Sequence, residues 1–210
     1  MPTNGLLSMV DSARYSGEGD VWSDMSGNGM DWTLRNPSFD AAGCYFLNGN
    51  ARLAVSPDLS SVTTGDLTVI AVFDTTDQKV RISPQTFDIE NYGPTNSQAF
   101  GAAIEGWHLD GVDQGAPADQ TKGSVYAKIL DGKKHVLELQ NIPSGSLTVQ
   151  KGRAHEPNLR SAYPGARFQY ALEKTGDNWD ISNGKFYGFM IYTRKLTDFD
   201  RLKIIDYWGV

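Results

Sequence analysis

Residues 67–74, LTVIAVFD, are apolar at almost every position, with Thr68 as the single polar interruption ahead of Asp74. A strand that lacks polar alternation has both faces covered, so this segment is expected at the centre of a sheet. Shorter apolar and β-branched runs recur on either side of it, at 44–48, 51–55, 80–90, 98–104, 124–130, 134–140, 146–150, 166–173 and 185–193. Gly, Pro, Asn and Asp separate these runs, which is the punctuation of an all-β chain. In the last run, strict alternation puts Phe186, Gly188, Met190 and Tyr192 on one face and Tyr187, Phe189 and Ile191 on the other, so both faces are apolar.

The pattern changes at the C-terminus. In LTDFDRLKIIDYW, Thr197 stands as an N-cap with Asp200 three residues on, and Phe199, Leu202 and Ile205 follow at helical spacing. One short helix is predicted there and no other. Residues 105–123 and 151–165 mix Gly, Pro and charge without a period and are expected to be loops, the usual place for partner contacts. No repeat, heptad or linker divides the 210 residues, so they are read as a single domain, 1–210.

Composition narrows the partners. A net charge of −6 argues against a phosphate-backbone binder, so nucleic acid is not expected as a partner. The single Cys44 excludes an intrachain disulfide and a cysteine-based metal site, and its apolar neighbours suit a small buried side chain. The start, MPTNGLLSMVDSARY, lacks the basic and apolar regions of a signal peptide, and no window reaches the roughly 20 apolar residues that cross a bilayer. The expectation is therefore a protein folded in a reducing cytoplasm, with no membrane partner.

The segment from Gly5 to Val55 carries a run of motifs. Val10 and Asp11 end an apolar stretch, Tyr15 to Gly17 form a Tyr-Ser-Gly turn, and Trp22 to Gly29 read WSDMSGNG; Thr33 and Leu34 follow, then Phe46 and Gly49. With the closing FYGFMIYTRKLTDFDRLKIIDYW, this resembles the LamG-like, concanavalin A-like jelly-roll domains of tailed-bacteriophage virion proteins. Asn48 and Asn50 fall where related chains commonly carry Asp or Asn, and residues 75–165 match nothing in the pattern. The resemblance implies an all-β fold: a two-sheet antiparallel jelly-roll sandwich, with a convex outer and a concave inner sheet, the first and last strands side by side, and one short C-terminal helix. Strand content without βαβ alternation agrees with it.

Four candidate sites follow from the residues. In SGNG, Gly27 and Gly29 supply the positive φ of a tight corner whose ends are anchored by Trp22 and Trp32, and Asn28 tolerates the left-handed region. The sharper alternative is an oxygen-ligand cation site, for calcium, formed by Asp24, Asn28 and Asp31; no other cofactor is expected. Second, glycoside hydrolases on this jelly roll use a Glu-x-Asp-x-Glu strand, with its carboxylates about 5 Å apart. Here the strand in QTFDIENYG reads Thr86, Asp88, Glu90, so a hydroxyl without an adjacent base stands in the nucleophile's place and the retaining mechanism fails. Third, His108, His135 and His155 lack zinc-site spacing, and no Gly-x-Ser-x-Gly elbow occurs. Fourth, Trp107, with Tyr92, Tyr126, His108 and Asp110, could hold a sugar ring on a loop; the competing reading is a buried loop anchor or an oligomer contact.

The resemblance implies a virion structural protein, a capsid decoration, head fibre or tail-associated module assembled in the host cytoplasm, and the missing carboxylate, thiol and metal constellations lead to the expectation that it has no catalytic residues. Its expected partners are other virion proteins of the capsid or tail, further copies of itself in a homo-oligomer, and host-surface glycan. The arm before Gly5 and the adjoining sheet edge are the expected docking surface. The alternatives are a carbohydrate-binding adhesin and, third, a polysaccharide-degrading enzyme.

Overall fold

The computed structural model describes residues 1–35, 45–46, 53–59, 66–76, 79–83, 87–90, 100, 104–117, 120–143, 169–171 and 184–210. Cys44, Asn48, Asn50, Thr86, Tyr92, His155, the expected strand at 146–150 and the expected loop at 151–165 lie outside them.

The fold is all-β, two antiparallel sheets facing each other, with a helix laid on the outside. The larger sheet runs β1 (Leu6–Asp11), β13 (Gly184–Tyr192), β6 (Asp66–Thr75), β11 (His135–Pro143), β9 (Gly106–Leu109), β10 (Val112–Asp113), with β4 (Tyr45–Phe46) also pairing β13. The smaller runs β2 (Val21–Trp22), β3 (Trp32–Arg35), β5 (Leu53–Val55), β12 (Gln169–Ala171), β7 (Lys79–Ser83), β8 (Phe87–Glu90). As expected, the first and last strands lie side by side, with Val10 opposite Phe189 and Asp11 opposite Gly188.

The apolar run at 67–74 is the central strand β6, flanked by β13 and β11. Leu67, Val69, Ala71 and Phe73 enter the core between the sheets, while Ile70 and Val72 enter a second apolar layer beneath the C-terminal helix α2 (Asp198–Trp208). Two burying faces explain the absence of polar alternation. Between the sheets, Trp22 meets Phe186 edge-on at 5.8 Å and Trp32 meets Phe189 at 4.7 Å.

Four sequence expectations are corrected. The run at 80–90 is two strands, β7 and β8, paired with Arg81 opposite Asp88. Residues 105–123 contain the β9–β10 hairpin rather than a continuous loop. Residues 124–130 belong largely to a second helix, α1 (Lys122–Ile129), capped by the Thr121 side chain, which accepts the Ser124 N–H. The apolar positions Val125, Tyr126, Ile129 and Leu130 follow a period of 3.6 and pack on the inter-sheet core, so the helical period wins over β-branched content.

The fourth correction concerns β13. Phe186 pairs Phe73 and Gly188 pairs Val72, so Tyr187 is an extra residue against β6. That bulge breaks the alternation. Phe186 joins Phe189 and Ile191 in the inner core, while Tyr187 packs with Met190 and Tyr192 on the outer layer.

Helix α2 has the predicted capping box: the Thr197 hydroxyl accepts the Asp200 N–H and the Asp200 carboxylate accepts the Thr197 N–H. Its buried stripe, however, is Arg201, Ile204 and Trp208, and Phe199 and Leu202 are about two-thirds exposed, at 65% and 66%. Trp208 decides the orientation. Its ring lies where a Cβ on Gly188 would stand 2.3 Å away, so only glycine lets the indole reach the sheet.

Candidate functional site

The Asp24 corner joins β2 to β3 and reaches across the sandwich to β1, the outer strand of the larger sheet. Gly27 and Gly29 have φ of +87° and +69°, as a tight corner requires, whereas Asn28 is not left-handed. Its side-chain amide instead donates to the Leu6 and Leu7 carbonyls at 2.9 and 3.0 Å. Asp24 Oδ1 accepts the Met9 N–H at 2.8 Å, and the Met25 N–H donates to the Met9 carbonyl at 2.7 Å. The corner thus takes up the outward backbone groups of β1 and covers a sheet edge that another strand could otherwise join.

This use of the three residues bears on the cation alternative. Both Asp24 oxygens are engaged by the N–H groups of Met9, Ser26 and Met30 and by the Ser26 hydroxyl. Asp31 accepts the Asp24 N–H, and Asn28 turns its N–H groups, not its oxygen, toward β1. The donor set therefore meets backbone and hydroxyl hydrogens, an arrangement suited to holding the corner. Partial burial works against the charge on Asp24, but donation from Ser26, Met9 and Met30 prevails and lowers its pKa below the ordinary aspartate value. The two tryptophans at the ends of the corner are buried, and their N–H groups donate to the Asp11 carbonyl and the Ser8 hydroxyl at 3.0 and 2.9 Å.

Of the aromatic patch expected around Trp107, Tyr92 lies outside the described residues, and Trp107 and His108 are kept apart for a geometric reason. Residues 106–109 are a strand, so Trp107 and His108 point to opposite faces. Trp107 is fully buried in the inter-sheet core against Phe100, at 5.1 Å, with Lys128 Nζ 5.2 Å from its ring centre. It offers no exposed ring to a sugar and acts as the buried anchor that the competing reading described. Asp110 sits in the β9–β10 turn with φ +52°. Tyr126 packs beside the same core.

His108 instead joins a polar chain on the outer face. Gln140 Nε2 lies 3.2 Å from His108 Nδ1 and donates to Glu138 Oε1 at 2.8 Å. Arg201 of α2 grips the buried Glu138 with two bonds, Nε to Oε2 at 2.7 Å and Nη2 to Oε1 at 2.9 Å, and bonds Asp198 through Nη1. Burial pushes the His108 pKa below the ordinary imidazole value against the pull of Glu138, which fits a neutral ring accepting from Gln140. With His108 Nδ1 at 4.0 Å from Glu138, the two are not hydrogen-bonded as an acid/base pair. The adjoining cleft, lined by Ile70, Gly111, Val136, Glu138, Arg201, Ile204 and Ile205, is about the size of one water and too small for a sugar ring.

The second histidine has the opposite character. His135 Nδ1 lies 2.7 Å from Asp110 Oδ2 and Nε2 lies 3.0 Å from Asp131 Oδ1. The hydrogen bond to Asp110 leads the causes that raise its pKa, over the opposing effect of burial. Asp131, held by the Lys133 N–H and by His135, is lowered to about 2. Sequence reading sought zinc spacing and passed over this cluster; the signal was a carboxylate in an Asp-Gly turn four residues ahead of a histidine. Among the described residues, no group of three or more His, Cys, Asp or Glu side chains is placed to hold a metal.

No family model and no curated protein matches the chain. Among solved structures, Trypanosoma rangeli sialidase in complex with sialic acid aligns over 100% of this chain and 34% of its own, with TM-score 0.51 and 14% identity. The binding domain of botulinum neurotoxin serotype D aligns over 98% of this chain and 52% of its own, with TM-score 0.51 and 9% identity. This chain therefore spans about a third to a half of the chains it matches, and at such identities the likeness establishes the β-sandwich fold alone.

Proposed function

We propose that this chain is a non-catalytic module of a tailed-bacteriophage particle, a capsid decoration, head fibre or tail-associated protein that works by presenting surfaces. The observation that carries the reading is the meeting of the two segments that bear the resemblance: β1 pairs β13 in antiparallel register, and the WSDMSGNG corner closes over the β1 edge. Motif residues far apart in the chain thus form one structural unit. The engagement of Asp24, Glu138, Asp110, Asp131, His135 and Asp200 in structural contacts supports the same reading. Asp88 and Glu90 lie on the edge strand β8 of the smaller sheet.

The arm before Gly5 is tied down, with the Tyr192 hydroxyl donating to the Pro2 carbonyl and Arg194 to the Asn4 carbonyl. A capsid or tail contact would therefore meet an anchored arm, with the exposed face of α2 as a further surface.

Mass spectrometry of purified particles that encode the chain tests the proposal. A fixed copy number per particle, matching a symmetry-related set of capsid or tail sites, is the expected result; absence of the chain from intact particles overturns it. A second reading, a glycan-binding module, is supported by the company of the fold: a sialidase solved with sialic acid and a toxin's binding domain. With Trp107 buried, that module would need another surface, and glycan-array binding unchanged in Trp107→Phe is its expected signature.

A further inference from the structure

Both ring nitrogens of the buried His135 face carboxylates, Asp110 at 2.7 Å and Asp131 at 3.0 Å. A neutral imidazole has one N–H, so it can donate to only one of them and must turn a lone pair toward the other. The geometry therefore calls for the imidazolium. Its two partners belong to different turns. Asp110 closes the β9–β10 hairpin in a left-handed conformation and also accepts the Val136 N–H at 2.8 Å. Asp131 opens the approach to β11, accepts the Lys133 N–H at 2.9 Å and pairs Lys133 Nζ at 3.3 Å.

Both turns also touch α2. Gly111, next to Asp110, lies against Ile205, and Lys134, next to His135, donates through Nζ to the Trp208 carbonyl at the helix C-terminus. The last turn of α2 has no basic residue of its own, so Lys134 supplies the cation that the exposed carbonyls there attract. We propose that His135 is a proton-operated latch: as the imidazolium it clamps the two turns against the C-terminal end of α2, and on losing its proton it releases that end.

The order of release follows from the contacts. Asp110 has the shorter contact with the ring and a backbone donor on its other oxygen, so the remaining N–H stays with Asp110 and the Asp131 arm opens. Opening that arm frees the segment that carries Lys134. The Gly132 N–H bond to the Thr75 carbonyl keeps the turn attached to β6, so the change is a loosening of the helix end and not unfolding. The charged groups acting on His135 are Asp110 and Asp131, with Lys133 and Lys134 beside them in the chain. Burial, helped by Arg201, shifts His108 on the outer face the other way against the pull of Glu138, Asp113 and Asp198, so it does not share the transition. The folded-state pKa of His135 lies above the ordinary imidazole value. The clamp is therefore complete below that value and is lost as pH rises through the folded pKa.

The test is imidazole nitrogen NMR combined with amide hydrogen exchange on the intact chain, from about pH 6 to about pH 9. Both ring nitrogens protonated at neutral pH are expected, with protection at Gly209, Val210 and the last turn of α2 falling about tenfold as His135 titrates, after correction for intrinsic exchange. Asp131→Asn should move that transition to lower pH, and His108→Gln should leave it in place. A single neutral tautomer at neutral pH overturns the proposal, as does helix protection that ignores the titration, or a transition that follows His108. If His135→Gln does not fold, Asp131→Asn still decides the matter, because Asp131 is at the surface and its removal leaves the histidine in place.

Discussion

The two faces of the larger sheet are closed by different means. On the inner face, Val69, Ala71, Phe73, Leu137, Leu139, Phe189 and Ile191 meet Trp22, Trp32, Leu34 and Ala54 of the smaller sheet, an apolar contact between broad surfaces. On the outer face, Ile70, Val72, Val136 and Met190 meet a narrow stripe of Ile204 and Trp208, and a buried ion pair lies beside them. Apolar burial holds a broad face in many nearby arrangements, whereas a single helix needs features that select one. Glu138 gripped by Arg201, Trp208 seated on Gly188 and the Arg194 link to Asp200 select it.

This contrast can be broken in order of effect. Trp32→Ala, on the inner face, should destabilise most, by about 3–5 kcal/mol in urea denaturation, because it empties a fully packed aromatic site. Glu138→Ala should cost about 3 kcal/mol by leaving the buried Arg201 with only the exposed Asp198 as its ion partner, and the double change Glu138→Leu with Arg201→Met should recover most of it. A double change that stays as unstable as the single one would mean that the pair does more than choose the position of the helix.

Gly188→Ala places a methyl group against the Trp208 ring and 2.6 Å from the Val10 carbonyl. It should cost about 2 kcal/mol, with a shift in tryptophan emission that reports α2 lifting from the sheet. Asp24→Asn touches neither face and should cost about 1 kcal/mol. Because the folded pKa of Asp24 is lowered, its contribution is present above the ordinary aspartate value and lost as pH falls through the folded pKa. The same variant loosens the cover on β1, so sedimentation should show stronger concentration-dependent association than in the parent chain.

The inner face was legible in the sequence and the outer face only in part. The unbroken apolar run at 67–74 announced a strand with two burying faces, and Gly27, Gly29 and the two tryptophans announced the corner. Thr197 and Asp200 announced the cap of α2. The side of α2 that is buried was not legible, because the sheet prefers Arg201, with a carboxylate waiting at position 138, over the more apolar Phe199 and Leu202. Nor was the bulge at Tyr187, since one inserted residue leaves composition unchanged while inverting every face assignment before it. Trp107 read as a loop aromatic only because the short β9–β10 hairpin, closed by Asp110 and Gly111, carries too few residues to show an alternation. The His135 cluster depends on two turns meeting in space, and only the Asp131 half of it could be seen in the chain.

Asp24, Asp110, Asp131, His135 and Glu138 hold this sandwich together, and the proposed module acts through its surfaces. Reducing-end release from host-surface polysaccharide, measured with the purified chain, tests it most directly. The account predicts release no greater than in buffer alone; release that is abolished in a folded His108→Gln variant would contradict it.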